Sequence, residues 1–244
     1  MWVAGIDGCA AGWIAVLMRT DDTASRRVTV AAAFADIADA PERPAILAVD
    51  MPIGLPDRTH GSGRLPEQLV RPLLGERQSS VFAIPSRQAV HAASYGEACA
   101  LAVATSDPPR KVSRQGFNIF PKIREIDALL RARPDLAART YEVHPEVAFW
   151  AMNGARALPE PKKVKSRPYE PGLDLRRGLL IRAGLPEDLV RTAPPRGAGP
   201  DDLLDALAGL TVALDLARGG GQSFPDPPGR DSHGLPVAIW TLKT

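Results

Sequence analysis

The chain has 244 residues, 45% of them hydrophobic and 24% charged, and its formal net charge is +2. This length suits one large domain rather than two full ones, and the composition can bury a sizeable core. The two cysteines, Cys9 and Cys99, exclude a disulfide framework and paired thiolate ligands, so we expect a reduced, cytoplasmic setting.

The hydropathy of the chain predicts no membrane partner. No uncharged apolar run reaches the ~18 residues of a membrane span. The longest candidate, residues 89–105, is interrupted by His91, Gly96 and Glu97, and we predict that it forms a buried helix. The N-terminal residues have the pattern of a strand and lack the features of a cleavable leader.

The first fifty residues predict most of a β-sheet. Apolar runs separated by turn residues indicate strands at 3–7, 13–18 and 28–30 and a short helix at 34–40. Residues 45–49 form a continuous apolar run, which is typical of a central strand buried on both faces. The prolines that follow cannot extend this strand, because they lack the N–H donor of a ladder.

The rest of the chain alternates helices with a few strands. We predict that residues 57–139 form an insertion of loops and helices, including a helix at 119–133. Further elements are expected as a fifth strand at 140–149, helices at 173–182 and 201–216, and an edge strand at 237–240. The predicted architecture is a single α/β domain over residues 1–244. Its mixed sheet is flanked by helices and carries the insertion between the fourth and fifth strands.

Two of the predicted strands are each followed by a single aspartate at a tight turn. Asp7 ends the first strand and Asp50 ends the fourth. A charge there is costly unless it has a partner, and ligands of open α/β sheets gather beyond the carboxyl ends of strands. If the strands are neighbours, their ends lie ~5 Å apart and both carboxylates can reach one cation. The alternative is that each aspartate caps its own turn.

The helix predicted at 201–216 supplies further carboxylates. Asp202 and Asp205 are three residues apart and therefore share a helix face. Asp205 lies a full turn inside an apolar, alanine-rich helix, which favours an inward orientation. A solvated face would give the same spacing, and Asp201 can serve as the helix cap.

Together these residues resemble the ribonuclease H-like superfamily, and the pattern Asp-x-x-Asp-Ala-Leu-Ala is similar to the last helix of Holliday-junction resolvases. More closely, the chain resembles the domain of unknown function 429 family, whose members are described as predicted nucleases of this fold. The matching stretches are residues 5–9 with 12–13, 50–55, 79–87, 122–127, 142–146 and 202–206.

This resemblance implies a ribonuclease H-like fold and metal-dependent phosphodiester chemistry. Such chemistry typically uses two divalent ions, and oxygen ligands favour Mg²⁺ or Mn²⁺ over zinc. Asp7 would be the bridging metal ligand, Asp50 and Asp205 would complete the site, and Asp202 would lie nearby.

Residues 142–146 provide a second group of candidates. On a strand, Glu142, His144 and Glu146 would share one face. Glu142 or His144 would then lie beside the metals as a ligand, a proton shuttle or a phosphate contact. The alternative is an exposed edge strand with a polar face.

Hydroxyl and cationic side chains could bind a phosphate group. The candidates are Arg77, Ser79, Ser80, Arg87 and Lys122. A loop that is stabilised by its own serines explains the same residues nearly as well. Glu125 and Asp127 cannot share a helix face, so at most one of them belongs to the site.

The substrate is expected to be a nucleic acid or another phosphate-containing compound. The basic stretch at 162–167, followed by Arg176 and Arg177, is either a nucleic-acid contact or a solvated loop. A competing function is a regulatory module that holds a nucleotide or other anion on Ser79, Ser80 and Arg87 without turnover. Phosphotransfer of the sugar-kinase type requires two copies of the fold, and this chain is too short for that.

Overall fold

The computed structural model describes residues 1–165 and 167–244. Its strands are β1 (Trp2–Cys9), β2 (Gly12–Arg19), β3 (Arg26–Ala31), β4 (Ile46–Val49), β5 (Thr59–His60), β6 (Ser106–Asp107), β7 (Thr140–Glu142), β8 (Lys163–Val164), β9 (Arg167–Pro168), β10 (Gln222–Arg230) and β11 (Pro236–Thr241). Its α-helices are α1 (Phe34–Ala38), α2 (Leu65–Val70), α3 (Arg87–Val90), α4 (Tyr95–Ala104), α5 (Arg114–Asn118), α6 (Phe120–Ala132), α7 (Pro134–Ala137), α8 (Pro145–Met152), α9 (Glu170–Arg182), α10 (Glu187–Val190) and α11 (Pro200–Ala217), with a 3₁₀ segment at Arg71–Ser80.

The main sheet has five strands in the order β3-β2-β1-β4-β7. Strand β2 is antiparallel to both β3 and β1, whereas β4 runs parallel to both β1 and β7. The sheet is therefore mixed, as the sequence predicts. Ile6 lies opposite Val49 in the parallel pair, so the residues that follow them emerge side by side at one edge of the sheet.

Helices cover both faces of this sheet, because alternate residues of its strands point to opposite sides. On one face, Ile6 and Val49 pack with helices α1 and α6. On the other face, Val3 and Ala48 pack with α8, α9 and α11. The strand predicted at 45–49 is accordingly buried on both sides.

Helix α11 crosses β1 at a distance that only glycine allows. A Cβ atom on Gly5 would lie 2.1 Å from the carbonyl oxygen of Ala206 and from the amide nitrogen of Leu210. Gly209 faces the sheet from the helix side, where its own Cβ would lie 3.4 Å from the Cα of Gly5. This close approach holds the first half of α11 against the carboxyl ends of the strands.

The prediction of a strand at 140–149 is wrong beyond the third residue of that range. Strand β7 ends at Glu142, and α8 begins at Pro145. Proline favours the first position of a helix, where its missing N–H has no helical partner to lose. His144 is extended, with φ −130° and ψ 118°, but only as the residue that precedes the helix. Glu142 and Glu146 therefore do not share a strand face.

Two other predicted elements also differ. Residues 89–105 form two helices, α3 and α4, because Ser94 caps α4 by accepting a hydrogen bond from the Glu97 amide. Helix α4 is only half-buried. The last predicted strand, β11, pairs with β10 in a separate hairpin and meets the main sheet through a bridge between Val143 and Trp240. Within the described residues, no helix combines the length and apolarity needed to cross a bilayer.

Candidate metal centre and the adjoining cavity

Three aspartates from three elements converge at the carboxyl edge of the sheet. Asp7 lies near the end of β1, Asp50 directly follows β4, and Asp205 lies in the second turn of α11. Each contributes a carboxylate oxygen, and these oxygens lie within 4.8 Å of one another. The parallel pairing of β1 with β4 and the close packing of α11 on β1 together create this triad.

The hydrogen bonds of the triad leave one buried oxygen unused. Oδ1 of Asp7 accepts a bond of 2.7 Å from the Gly8 amide, and Oδ2 of Asp205 accepts one from Nζ of Lys162. Oδ1 of Asp205 is buried and has no hydrogen-bond partner among the residues that the structure describes. Buried carboxylate oxygens are normally paired, so an orphaned one within an acidic cluster suits a cation ligand.

Burial and nearby negative charges raise the pKa of all three carboxyl groups. Burial, followed by the charge of Asp50, raises the pKa of Asp7 well above its usual range. The pKa of Asp50 rises to about 8 through burial and the charge of Asp205. Burial raises the pKa of Asp205 to about 6, although Lys162 opposes that rise. The triad therefore resists full ionisation unless a positive charge joins it.

Lys162 supplies one such positive charge from outside the sheet. Burial disfavours its ammonium form, but Asp205 and Asp7 raise the pKa of Lys162 above its usual range. Its neighbour Lys163 forms a 2.6 Å ion pair with Asp201. The first two lysines of the basic stretch thus lie on the acidic cluster, whereas Ser166 falls outside the described residues.

The two arginines that follow the basic stretch do not extend it toward the cluster as free cations. Arg176 is fully buried and donates to Oε1 of Glu146 at 2.5 Å. Arg177 pairs with Glu170 and Asp174 on the exposed side of α9. Arg176 is therefore not available to contact a nucleic acid.

The two aspartates in the first turn of α11 make contacts outside the triad. Asp202 is half-exposed, and its Oδ2 accepts a 2.8 Å hydrogen bond from the Gly199 amide, so it caps the helix. Burial raises its pKa. Asp201, the predicted cap, is buried and held by Lys163. Asp202 therefore lies outside the three-carboxylate cluster.

Glu142 is buried in an ion-pair network, and it also lines a cavity together with Asp7 and Asp50. Its Oε1 accepts a 2.5 Å hydrogen bond from Nη2 of Arg64, and its Oε2 accepts one of 2.7 Å from the Ile53 amide. Arg64 also pairs with the buried Glu67. Burial raises the pKa of Glu142 to about 7, although Arg64 opposes that rise. Glu142 thus fixes the turn after Asp50, and sequence reasoning missed Arg64, its partner.

Glu146, expected on a strand, instead enters the site from the first turn of α8. One of its oxygens accepts from Arg176, and the other is buried without a partner among the described residues. Beyond the effect of burial, its charge helps to raise the pKa of both Asp50 and Asp205. Glu146 therefore lies beside the triad as a fourth carboxylate.

A cavity of about 200 Å³ opens beside Asp7 and Asp50. Of the predicted phosphate-binding set, Ser80, Lys122 and His144 lie in its wall. The Lys122 ammonium donates to the carbonyl oxygen of Gly12 and lies 4.5 Å from the centroid of the Trp13 ring. His144 Nε2 lies 3.3 Å from the Ser80 carbonyl oxygen, and burial lowers the pKa of this imidazole.

The other predicted phosphate ligands are engaged elsewhere. Arg87 forms ion pairs with Asp127 and, at 2.5 Å, with Asp231, so its predicted role as an anion ligand is not supported. Arg77 pairs with Glu76 at 2.9 Å. Ser79 is exposed and does not line the cavity.

Glu125 and Asp127 have structural roles as well. Both oxygens of Glu125 accept from Nε1 of Trp13, and one also accepts from the Phe34 amide. Asp127 is occupied by Arg87. Neither acidic residue joins the triad.

Comparison with known proteins identifies a family but no characterised relative. The model of the family described as protein of unknown function (DUF429) matches residues 5–230. No curated protein matches the chain, and no solved structure does.

Proposed function

The chain belongs to the DUF429 family, and we propose that its triad of Asp7, Asp50 and Asp205 binds divalent metal ions and supports hydrolysis of phosphodiester bonds. The observation that carries this proposal is the unpartnered, buried Oδ1 of Asp205 within a cluster of carboxylates only 4.8 Å across. All the donors are hard oxygens, which suit Mg²⁺ or Mn²⁺.

The sheet supports a ribonuclease H-like fold as part of the same proposal. The acidic residues occupy the ends of two adjacent parallel strands and the last long helix, as the family resemblance requires. On this proposal, residues 57–139 form an insertion in a single domain.

In the proposed reaction the metal ions and the protein side chains have different tasks. When bound in such a site, divalent ions activate water and stabilise the leaving oxygen. Asp7, Asp50 and Asp205 would hold them, and Glu146 would stand beside them. Lys122 also lines the cavity, where a phosphate oxygen could replace the Gly12 carbonyl oxygen as the acceptor of its ammonium group.

The proposal predicts that Asp7→Asn abolishes binding of Mn²⁺. The amide removes a negative charge from the centre of the triad while it preserves the shape of the side chain. Isothermal titration with Mn²⁺ measures the effect, and Asp174→Asn is the matched control because Asp174 lies in an exposed ion pair on α9. We expect the control to bind like the wild type. Unchanged Mn²⁺ affinity in Asp7→Asn would refute the metal site.

Activity is tested with labelled single-stranded, duplex, hybrid and branched substrates in Mg²⁺ and in Mn²⁺. Cleavage that is lost in both Asp7→Asn and Asp205→Asn supports the hydrolase. Anion binding without turnover on any substrate instead supports a regulatory module on the same fold. The structure offers that alternative only Ser80 from its predicted ligand set, because Arg87 is held by Asp127 and Asp231.

A further inference from the structure

We infer that the cavity beside Asp7 and Asp50 binds the base of a single nucleotide unit, and that the substrate is therefore read one nucleotide at a time. This inference rests on the proposed metal centre, which would hold the attached phosphate. It deepens the proposed function by naming the part of the substrate that the protein recognises.

The size and position of the cavity limit the kind of group that it can bind. Its volume of about 200 Å³ lies below the ~300–1,000 Å³ of ordinary ligand pockets, so it admits one compact group and excludes a duplex. Asp7 and Asp50 form one side of it. A phosphate at the triad would thus place the organic group to which it is attached inside the cavity.

The walls of the cavity suit a flat and mainly apolar group. Pro52, Phe82, Ile119 and Ile239 are among the apolar residues that line it. Phe82 supplies an aromatic ring, and a base that stacks on an aromatic side chain typically contributes ~1–3 kcal/mol.

Polar groups in the same walls can read the edge of a base. The Asn118 side chain carries both a donor and an acceptor, and it lines the cavity. His144 also lines it, and its Nδ1 is buried with no hydrogen-bond partner in the part of the chain that the structure describes. A base offers complementary donors and acceptors on its edge, to which the Asn118 amide can bond.

Titration calorimetry in Mg²⁺ with the four 5′-mononucleotides tests the inference, with ribose 5-phosphate as the base-free probe. These monoesters are not phosphodiesters, so binding is measured without turnover. We expect at least one mononucleotide to bind about 10-fold or more tightly than ribose 5-phosphate. Equal affinity for all five compounds would overturn the inference.

Two variants locate the base. Ile119→Trp should fill the cavity and reduce mononucleotide affinity by about 10-fold, without changing that for ribose 5-phosphate. Ile181→Trp is the matched control, since Ile181 is also half-buried but lies on α9 and does not line the cavity. Asn118→Ala should lower the affinity for the preferred mononucleotide more than the affinity for the other three. If the variant and the wild type both bind all four mononucleotides equally well, recognition of the base edge is contradicted.

The same titrations separate this inference from the proposed function. Mn²⁺ binding to the wild type, together with no preference for a base, overturns the inference alone. Base-dependent binding without any affinity for Mn²⁺ overturns the metal centre but leaves the cavity as a nucleotide site. Comparing a mononucleotide with an oligonucleotide of the same terminal base then distinguishes a free nucleotide from a strand end.

Discussion

At the scale of single residues, the site is a set of carboxylates that the fold holds closer together than their charges favour. Asp50 shows the effect of this crowding on ionisation, because burial and the charge of Asp205 raise its pKa to about 8. The folded chain therefore retains a proton that an unfolded chain, with an aspartate pKa of ~3.9, releases. The stability that this proton contributes is complete below pH ~4 and is lost as the pH rises through about 8.

We predict that the free energy of unfolding of the metal-free protein falls between pH 5 and pH 8.5. The free energy of unfolding of Asp50→Asn should fall less over the same range. At pH 8.5 the variant should be more stable than the wild type by roughly 1–3 kcal/mol, because an amide has no charge to bury. Urea unfolding with a chelator at both pH values measures the difference. A stability gap that does not change with pH would contradict the assignment.

Lys162 is the second residue whose charge decides the behaviour of the triad. Its ammonium bonds to Asp205 at the place where a divalent ion would also be attracted. We predict that Lys162→Met raises the affinity for Mn²⁺ by about 10-fold, since the competing positive charge is gone; this corresponds to ~1.4 kcal/mol.

Electron paramagnetic resonance of free Mn²⁺ measures that affinity. Lys165→Met is the control, because Lys165 is exposed in the turn between β8 and β9. Reduced Mn²⁺ affinity in Lys162→Met would show that the lysine supports the bound ion instead of competing with it.

At the scale of elements, the site depends on how closely α11 lies on β1. The backbone contact at Gly5 sets the distance between the helix that carries Asp205 and the strand that carries Asp7. Small residues on both sides make this contact possible. The triad is thus a product of backbone packing as much as of acidic side chains.

We predict that Gly5→Ala lowers the free energy of unfolding by about 3 kcal/mol or more, because the new methyl group meets backbone atoms that cannot move independently. Mn²⁺ affinity should fall as well. Gly96→Ala is the matched control, since nothing lies within 4 Å of a Cβ atom there and alanine favours a helix. Urea unfolding of both variants tests the contrast, and equal stability would disprove the close contact.

The elements differ in how well the sequence predicts them. The strands at Asp7 and Asp50 and the helix at Asp205 follow from local pattern, since apolar runs and helical periodicity are short-range signals. The helix at Glu146 was missed because Pro145 fits both an extended segment and a helix start. The partners of Arg87 and Glu142 were beyond prediction, because Asp231 and Arg64 are distant in sequence and leave no periodic signature.

At the scale of the whole molecule, one buried arginine joins the segment after β4 to the end of the sheet. Arg64 donates to the carbonyl oxygens of Ile53 and Gly54 at 2.7 and 3.0 Å, and it pairs with Glu67 and Glu142. Two buried carboxylates thus share a single cation. Both glutamates of this network, Glu67 and Glu142, also line the cavity.

We predict that Arg64→Met destabilises the protein by about 3–5 kcal/mol, because it leaves buried carboxylates without a counter-charge. Arg58→Met is the control, since Arg58 is exposed and donates a 3.2 Å hydrogen bond to the Ala104 carbonyl oxygen; its effect should stay within ~0.5 kcal/mol. Chemical unfolding measures both. A small effect of Arg64→Met would mean that the two glutamates carry protons in the folded state.

The triad joins the beginning of the chain to its last long helix, and this has a consequence for biosynthesis. Ribosomes release a chain from its N-terminus onward, so β1 and β4 emerge long before α11. Until Asp205 has left the exit tunnel, a nascent chain holds only two of the three carboxylates, and without α11 the covered face of β1 is open to water. A polypeptide that ends before Asp205 therefore cannot assemble the triad, and an elongating chain completes it only after α11 has emerged.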